Sequence, residues 1–434
     1  MSIQNQPKYP SLHNSIAAIF TKDSISFFII KWLFFSILIS IGIGSASALF
    51  LISLGSVTDY REQHLWIIVF LPIIGFIISW IYDKYGKNSI KGNNLLIDTI
   101  HHGGEKIPFR MAPLVYVGTI LTHLFGGSAG REGTALQMAG SIADQITKPF
   151  NLTKKERSIL LVSAVAGGFG AVFGTPLAGF VFALEFSRIG KINYLSIFPA
   201  LMTAVISDYI CKLWNAKHTH YAIDLVPQLT FERILYAIIA GLIFAGCAVV
   251  FCKSMHKLSQ FWKRTIKYTP LQSLVGGVII ISAVYILGTT KYIGLGIPMI
   301  EASFKEGLLP YDFALKLIFT VVTLSAGFKG GEVTPLFFIG ATLGNVLSLF
   351  IPLPLGLLAG MGFVAVFAGA TNTPLACTLM AIELFGADCA VYVAIACITS
   401  YLFSGSNSIY LRQQIGEPKN PADETIRNKT VGEL

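Results

Sequence analysis

Glu132 and Glu332 stand 200 positions apart in matching surroundings. The first lies in Gly130-Arg131-Glu132-Gly133-Thr134-Ala135-Leu136, followed by Gly140. The second lies in Gly330-Gly331-Glu332-Val333-Thr334-Pro335-Leu336, followed by Gly340. The shared pattern is G-x-E-x-T-x-L-x-x-x-G. Glycine disfavours a continuous helix, so the run from Gly126 to Thr134 reads as a tight turn that opens a helix at about Thr134. A helix start carries unpaired N–H groups and a partial positive charge, which together suit an anion. Gly330 to Pro335 offers the same arrangement, with Pro335 suited to the first helical position. Two such ends meeting head to head would hold one dehydrated anion through backbone donors, and weakly enough to release it.

Glu132 would compete for those donors. Ionised, its carboxylate would plug the positive helix ends; protonated, it would lose that attraction and admit the anion. One group would then couple proton movement to anion movement. A glutamate that merely favours its own helix start is the ordinary reading in a soluble protein. At bilayer depth an ionisable side chain is costly and marks function. Arg131 is expected to pair elsewhere or to anchor the turn. Glu332, the repeat counterpart, is the candidate second proton group.

The elements that position these residues are also duplicated. Thr175-Pro176-Leu177-Ala178 precedes Glu185, and Thr373-Pro374-Leu375-Ala376 precedes Glu383, ten residues after the threonine in each case. Their duplication predicts a structural role for Glu185 and Glu383, such as bonding to loop backbone. The Gly167-Gly168-Phe169-Gly170 run suits close helix packing. Two repeats in one order predict halves at about 28–225 and 230–410, joined near Lys217 to Leu229. Such halves place a substrate site at the membrane midplane. Parallel and inverted arrangements both fit the sequence. The segments 114–125, 134–146 and 159–173 read as too short to span, which points to interrupted helices around a site inside the membrane.

Composition agrees with an all-α membrane protein. The chain is 53% hydrophobic and 13% charged, about half the usual charged share of a soluble domain. Apolar runs at 27–54, 66–82 and 234–251 read as spans. The polar segment 1–26, with Lys8, Lys22 and Asp23, precedes a retained first span and not a cleaved signal. A polar tail occupies 411–434, and no cytosolic regulatory domain is expected. The net charge of +9 is scattered in short polar breaks such as Lys84-Lys87-Lys91 and Lys148-Lys154-Lys155-Arg157. That pattern marks cytoplasmic loops and argues against nucleic acid. The six cysteines read as small buried residues, the histidines at 101, 102, 218 and 220 as solvated, and no metal or cofactor is called for. An intramembrane enzyme finds no support: there is no H-E-x-x-H, no G-x-S-x-G followed by a plausible triad, and no membrane-buried aspartate pair.

These motifs resemble the CLC family of anion channels and anion/proton exchangers. Gly130-Arg131-Glu132-Gly133 is similar to its gating-glutamate motif, Gly174 to Gly179 with Glu185 to its mid-region, and Gly330 to Pro335 to its second pore motif. Tyr410 falls where the family places a pore-lining tyrosine. The resemblance implies an inverted repeat of tilted, partly discontinuous helices at 27–410, a homodimer in the lipid bilayer with one pore per subunit, and a multi-pass place in the inner cell membrane. It implies an anion site at Asn93, Gly130, Arg131, Glu132, Gly133, Glu332, Val333, Thr334 and Tyr410. Chloride-handling members carry a G-S-G-I-P turn where Gly92-Asn93-Asn94-Leu95 stands. They have proline at Thr134, Phe at Val333, and an inner proton glutamate at Phe186. These departures resemble the bacterial fluoride/proton antiporter subclass, and a chloride channel or chloride/proton antiporter is the alternative. Fluoride gives up water reluctantly, so close donors such as the Thr334 hydroxyl and Asn93 amide suit it.

Overall fold

A computed structural model of the protein describes residues 24–434. The polar segment expected at 1–26 lies outside the described residues except for 24–26. Among the described residues, sixteen α-helices fall into two sets of eight that follow one another in the same order. The first set is α1 (Ile25–Gln63), α2 (Leu71–Ile81), α3 (Asn93–His102), α4 (Met111–Leu124), α5 (Glu132–Asp144), α6 (Lys154–Phe173), α7 (Pro176–Glu185) and α8 (Ile197–Leu213). The second is α9 (Phe231–Thr265), α10 (Thr269–Leu287), α11 (Ile297–Ser303), α12 (Asp312–Ser325), α13 (Val333–Leu347), α14 (Leu355–Thr371), α15 (Pro374–Phe385) and α16 (Ala390–Phe403). Each set opens with its longest helix and closes on it, since α1 packs on α8 and α9 on α16.

Local chemistry sets the boundaries. Ser24 starts α1 by accepting a hydrogen bond from the Phe27 N–H at 3.1 Å. At 39 residues, α1 is about 58 Å long and crosses a 30 Å hydrocarbon layer only when tilted. The run at 66–82, read as one span, is instead broken. A 3₁₀ turn at Leu65–Phe70 precedes α2, whose second residue is Pro72. The segment at 159–173, read as too short, is part of a 20-residue helix. Thr153 and Glu156 form a capping box that starts α6 five residues earlier than its apolar stretch. The helices α5 and α13 do stay short, at 13 and 15 residues. Between α8 and α9 the chain runs without a helix to Thr230, whose hydroxyl caps α9.

The core lies where α6 and α14 run, buried on nearly every side. Gly340 and Gly362 let α13 and α14 touch backbone to backbone, since a Cβ on either would strike the other's carbonyl. Phe169, Phe182 and Phe367 stack across the halves; the first two are 4.2 Å apart between ring centres.

The halves are bonded to each other reciprocally. Glu185, at the end of α7, accepts from the Leu375 and Ala376 N–H groups at 3.3 and 2.9 Å. Glu383, near the end of α15, accepts from the Leu177 and Ala178 N–H groups at 2.9 and 2.7 Å. Each glutamate therefore satisfies the free N–H groups at the start of the opposite T-P-L-A helix. The structural role expected for the pair is present, with helix starts in place of loop backbone. Exchange of identical bonds requires a local two-fold relation.

The polar tail is built into the fold. Its β2 (Gln414–Ile415) pairs in parallel with β1 (Arg188–Ile189). The buried Gln413 side chain donates to the Phe186 and Thr371 carbonyls and accepts from the Asn372 amide. Two histidine expectations need correction: His101 and His218 are half-buried, and each meets a backbone carbonyl, of Ser187 and Ala171. Five of the cysteines are buried and Cys247 is partly so, all free. Glu185→Ala and Glu383→Ala should each lose on the order of 1–3 kcal/mol by stranding two N–H groups. The two variants should lower the thermal aggregation midpoint in detergent by similar amounts; a fall in only one would deny the reciprocity.

Candidate functional site

The loop before α5 is pinned from behind. Gly126 has φ of +88°, a conformation that favours glycine, and turns the chain after α4. The buried His123 ring sits between the Thr119 and Ala129 carbonyls at 2.9 and 3.0 Å. This holds Gly130 where it forms an antiparallel bridge with Gly331. Gly130 N–H donates to the Gly331 carbonyl at 2.6 Å, and Gly331 N–H to the Gly130 carbonyl at 2.9 Å. The bridge places the first residues of α5 and α13 against each other, so the two helix starts meet head to head.

Glu132 occupies this junction. It is fully buried. One carboxylate oxygen accepts from the Val333 N–H at 2.5 Å. The other accepts from the Arg131 N–H at 2.9 Å and from the Thr334 N–H and hydroxyl, both at 3.3 Å. The sequence placed Glu132 in a turn before a helix at about Thr134. It is in fact the first residue of α5, and its charge serves the start of α13. Pro335 is the third residue of α13, not the first, where its missing N–H still costs no intrahelical bond. Gly331 is required here, because a Cβ would collide with the Glu132 carboxylate.

The remaining expected residues divide. Val333 and Thr334 supply donors directly. Arg131 supplies its backbone N–H, while its guanidinium lies over the Phe173 ring at 5.6 Å. Gly133 lies between Gly331 and Asn93, so close that an added Cβ would be 3.2 Å from both the Gly331 Cα and the Asn93 amide nitrogen. Asn93, the first residue of α3, has a buried side-chain oxygen without a partner among the described residues. Asn93, Glu332 and Tyr410 line a cavity of about 170 Å³ that adjoins the junction. Tyr410 stands edge-on to Phe186 at 4.9 Å between centres, and Phe186 is fully buried. Glu332 is half-buried and precedes α13, so the two repeat glutamates differ: one fills the donors and the other faces the cavity.

Sequence reasoning missed the other wall of this cavity, which includes Tyr82, Ser89, Gln137 and Lys329. Lys329 carried a usable signal, being a lysine directly before the second glycine motif in an apolar region. Tyr82 and Ser89 carried none.

Chemically, the junction gathers main-chain donors and one hydroxyl around a carboxylate, an arrangement that can seat an anion when a proton neutralises the side chain. The comparisons agree with that frame. A family model described as "Voltage gated chloride channel" matches residues 74–405. A "Chloride/fluoride channel protein" of Pseudomonas syringae pv. tomato is 48% identical over 408 residues, covering 92% of this chain and 90% of the relative. Among solved structures, a CLC-type fluoride/proton antiporter superposes with a TM-score of 0.88 at 35% identity, covering 91% of this chain and 100% of the other. A slow cyanobacterial chloride/proton antiporter shares the fold, with a TM-score of 0.76 at 18% identity over 92% and 96% of the two chains.

Competition for the seat has a direct consequence. In Glu132→Ala the α13 donors are vacant, so a small halide should bind the purified protein at least about tenfold more tightly than it binds the parent, the worth of one charge-assisted hydrogen bond. Calorimetric titration with fluoride checks this; equal affinities would mean that carboxylate and anion use different donors.

Proposed function

The chain belongs to the voltage gated chloride channel family, and from that premise we propose that it is a multi-pass antiporter that exports fluoride in exchange for protons. The observation that carries the reading is the Glu132 carboxylate seated on the α13 helix start through three donors, with a fourth from the Arg131 N–H before α5. Similarity to a fluoride/proton antiporter across the whole length of that chain supports it, as does the name of the Pseudomonas relative.

The geometry performs the exchange as follows. With Glu132 ionised, its carboxylate fills the seat and bars the anion. A proton from outside neutralises it and removes its attraction to the positive helix end. The carboxyl then leaves, and a fluoride takes the Val333 and Thr334 donors. Fluoride is the smallest halide and needs short contacts all round. Two N–H groups and a hydroxyl converge here, and Val333 at the first position adds little bulk beside them. Return of the carboxylate displaces the anion, and its proton passes inward. Phe186 stands at the inner end without a titratable group, so the proton leaves by Glu332, which faces the adjoining cavity. Asn93 and Tyr410 line the same cavity and receive the anion there. The backbone donors of Gly130, Arg131 and Gly133 and the pinned loop fix the seat.

We place this transporter in the inner cell membrane as a homodimer with one pathway in each subunit. The resemblance to the CLC family supports both statements. The transmembrane body is 27–410 and the tail is 411–434.

Fluoride efflux from proteoliposomes with pH recorded tests the function. The parent should move fluoride and protons in opposite directions and should leave chloride largely behind. Glu132→Gln, which stays neutral, should lose proton movement; unchanged proton transport would overturn the mechanism. Glu332→Gln should also lose proton coupling, and intact coupled flux in that variant would remove Glu332 from the pathway.

A further inference from the structure

The cavity beside the seat contains a cation that the exchange cycle above does not use. Lys329 lies one residue before the Gly330-Gly331-Glu332 motif and lines the cavity with Glu332, Asn93, Tyr82 and Ser89. Its ammonium rests 4.1 Å from the centre of the Tyr82 ring. Among the described residues it has no carboxylate partner. Its stem packs on Gly118 of α4, where an added Cβ would approach the Lys329 Cγ to 2.9 Å.

An intramembrane lysine is normally paired with an acid, which cancels the charge. An aromatic face stabilises an ammonium without cancelling it. Lys329 therefore keeps its charge at the cavity wall, which it shares with the exposed Lys91 and with Glu332. The walls add unused polar groups. Tyr82 is 5% exposed and Ser89 is 1% exposed, and neither hydroxyl has a partner among the described residues. The buried Asn93 oxygen is likewise unpartnered. An ordered cation with uncommitted hydroxyls in a cavity of about 170 Å³ is suited to a small, partly hydrated anion.

We propose that Lys329 is the residue that attracts fluoride into this cavity, and that Tyr82 holds the ammonium in place while leaving its charge uncancelled. The inference rests on the fluoride/proton reading. Lys329 acts on occupancy of the cavity, and Glu132 acts on the exchange itself. Removing Lys329 should therefore weaken fluoride loading more than it slows turnover at saturating fluoride.

Fluoride efflux measured over a series of internal fluoride concentrations separates the two. Lys329→Met should raise the half-saturating fluoride concentration about tenfold while the maximal rate falls less than about threefold. Lys329→Arg, which restores a charge, should recover part of the loss. Tyr82→Leu should follow Lys329→Met, and Tyr82→Phe, which keeps the ring, should lose less. A lower maximal rate with unchanged half-saturation in Lys329→Met would show a structural role only and overturn the proposal. If Lys329→Met does not elute as a single species, Tyr82→Leu decides by the same criterion. A parent that carries no fluoride would instead defeat the fluoride reading, an outcome visible before any variant is compared.

Discussion

A carboxylate from one half of the chain satisfies the helix start of the other half, and the rest of the architecture serves that contact. A bare anion inside a bilayer is unfavourable by many kcal/mol unless donors replace its water. A full cation in contact with it would hold it too firmly for turnover. Helix N–H groups lie between these limits: they are fixed and carry partial charge only. They work here because the Gly130–Gly331 bridge brings two helix starts to one point, and that bridge needs glycine on both sides. The short α5 and α13 accord with the same requirement, since both start inside the fold at the bridge.

Near-symmetry builds the frame, and its breakdown sets Glu132 apart from Glu332. Glu185 and Glu383 exchange equivalent bonds and hold the halves in register. Glu132 and Glu332 occupy equivalent sequence positions with unequal surroundings. Val333 and Thr334 give Glu132 its donors. Glu332 turns to the cavity shared with Asn93 and Tyr410. A strictly symmetric pair would fill both helix starts together and leave no sidedness. In the proposed cycle the inequality would let one glutamate compete with the anion while the other stands on the route inward.

The repeat, the meeting of two helix starts and the structural role of Glu185 and Glu383 were legible because each has a local signature in glycine, proline and threonine spacing. The placing of the Glu132 carboxylate against the second helix start, about 200 residues away, was legible too, because the repeated motif marks both starts. Helix boundaries were less so, since caps and prolines override an apolar pattern. The capping box at Thr153 lengthened α6 beyond its apolar stretch, and Pro72 opened a new helix inside an apolar run read as continuous. The tail reads in the sequence only as a polar segment. Gln413 is polar and fully buried, its amide spent on three backbone or side-chain partners.

That buried glutamine bears on how the inner end of the pathway is held. Phe186 packs against Tyr410, and the Gln413 amide donates to the Phe186 carbonyl. Three residues after Tyr410, the chain is thus tied to the end of α7 and to the end of α14 at Thr371. The Arg412 N–H meets the Asn94 side chain at 3.2 Å, next to Asn93. One short segment therefore fixes Tyr410, Phe186 and the α3 start together. An apolar ring closes the place where a titratable group would otherwise offer protons a second route. In the proposed exchange Phe186 offers no proton route there, so proton and anion would share the cavity lined by Glu332 and Lys329, in the space that the tail keeps in shape.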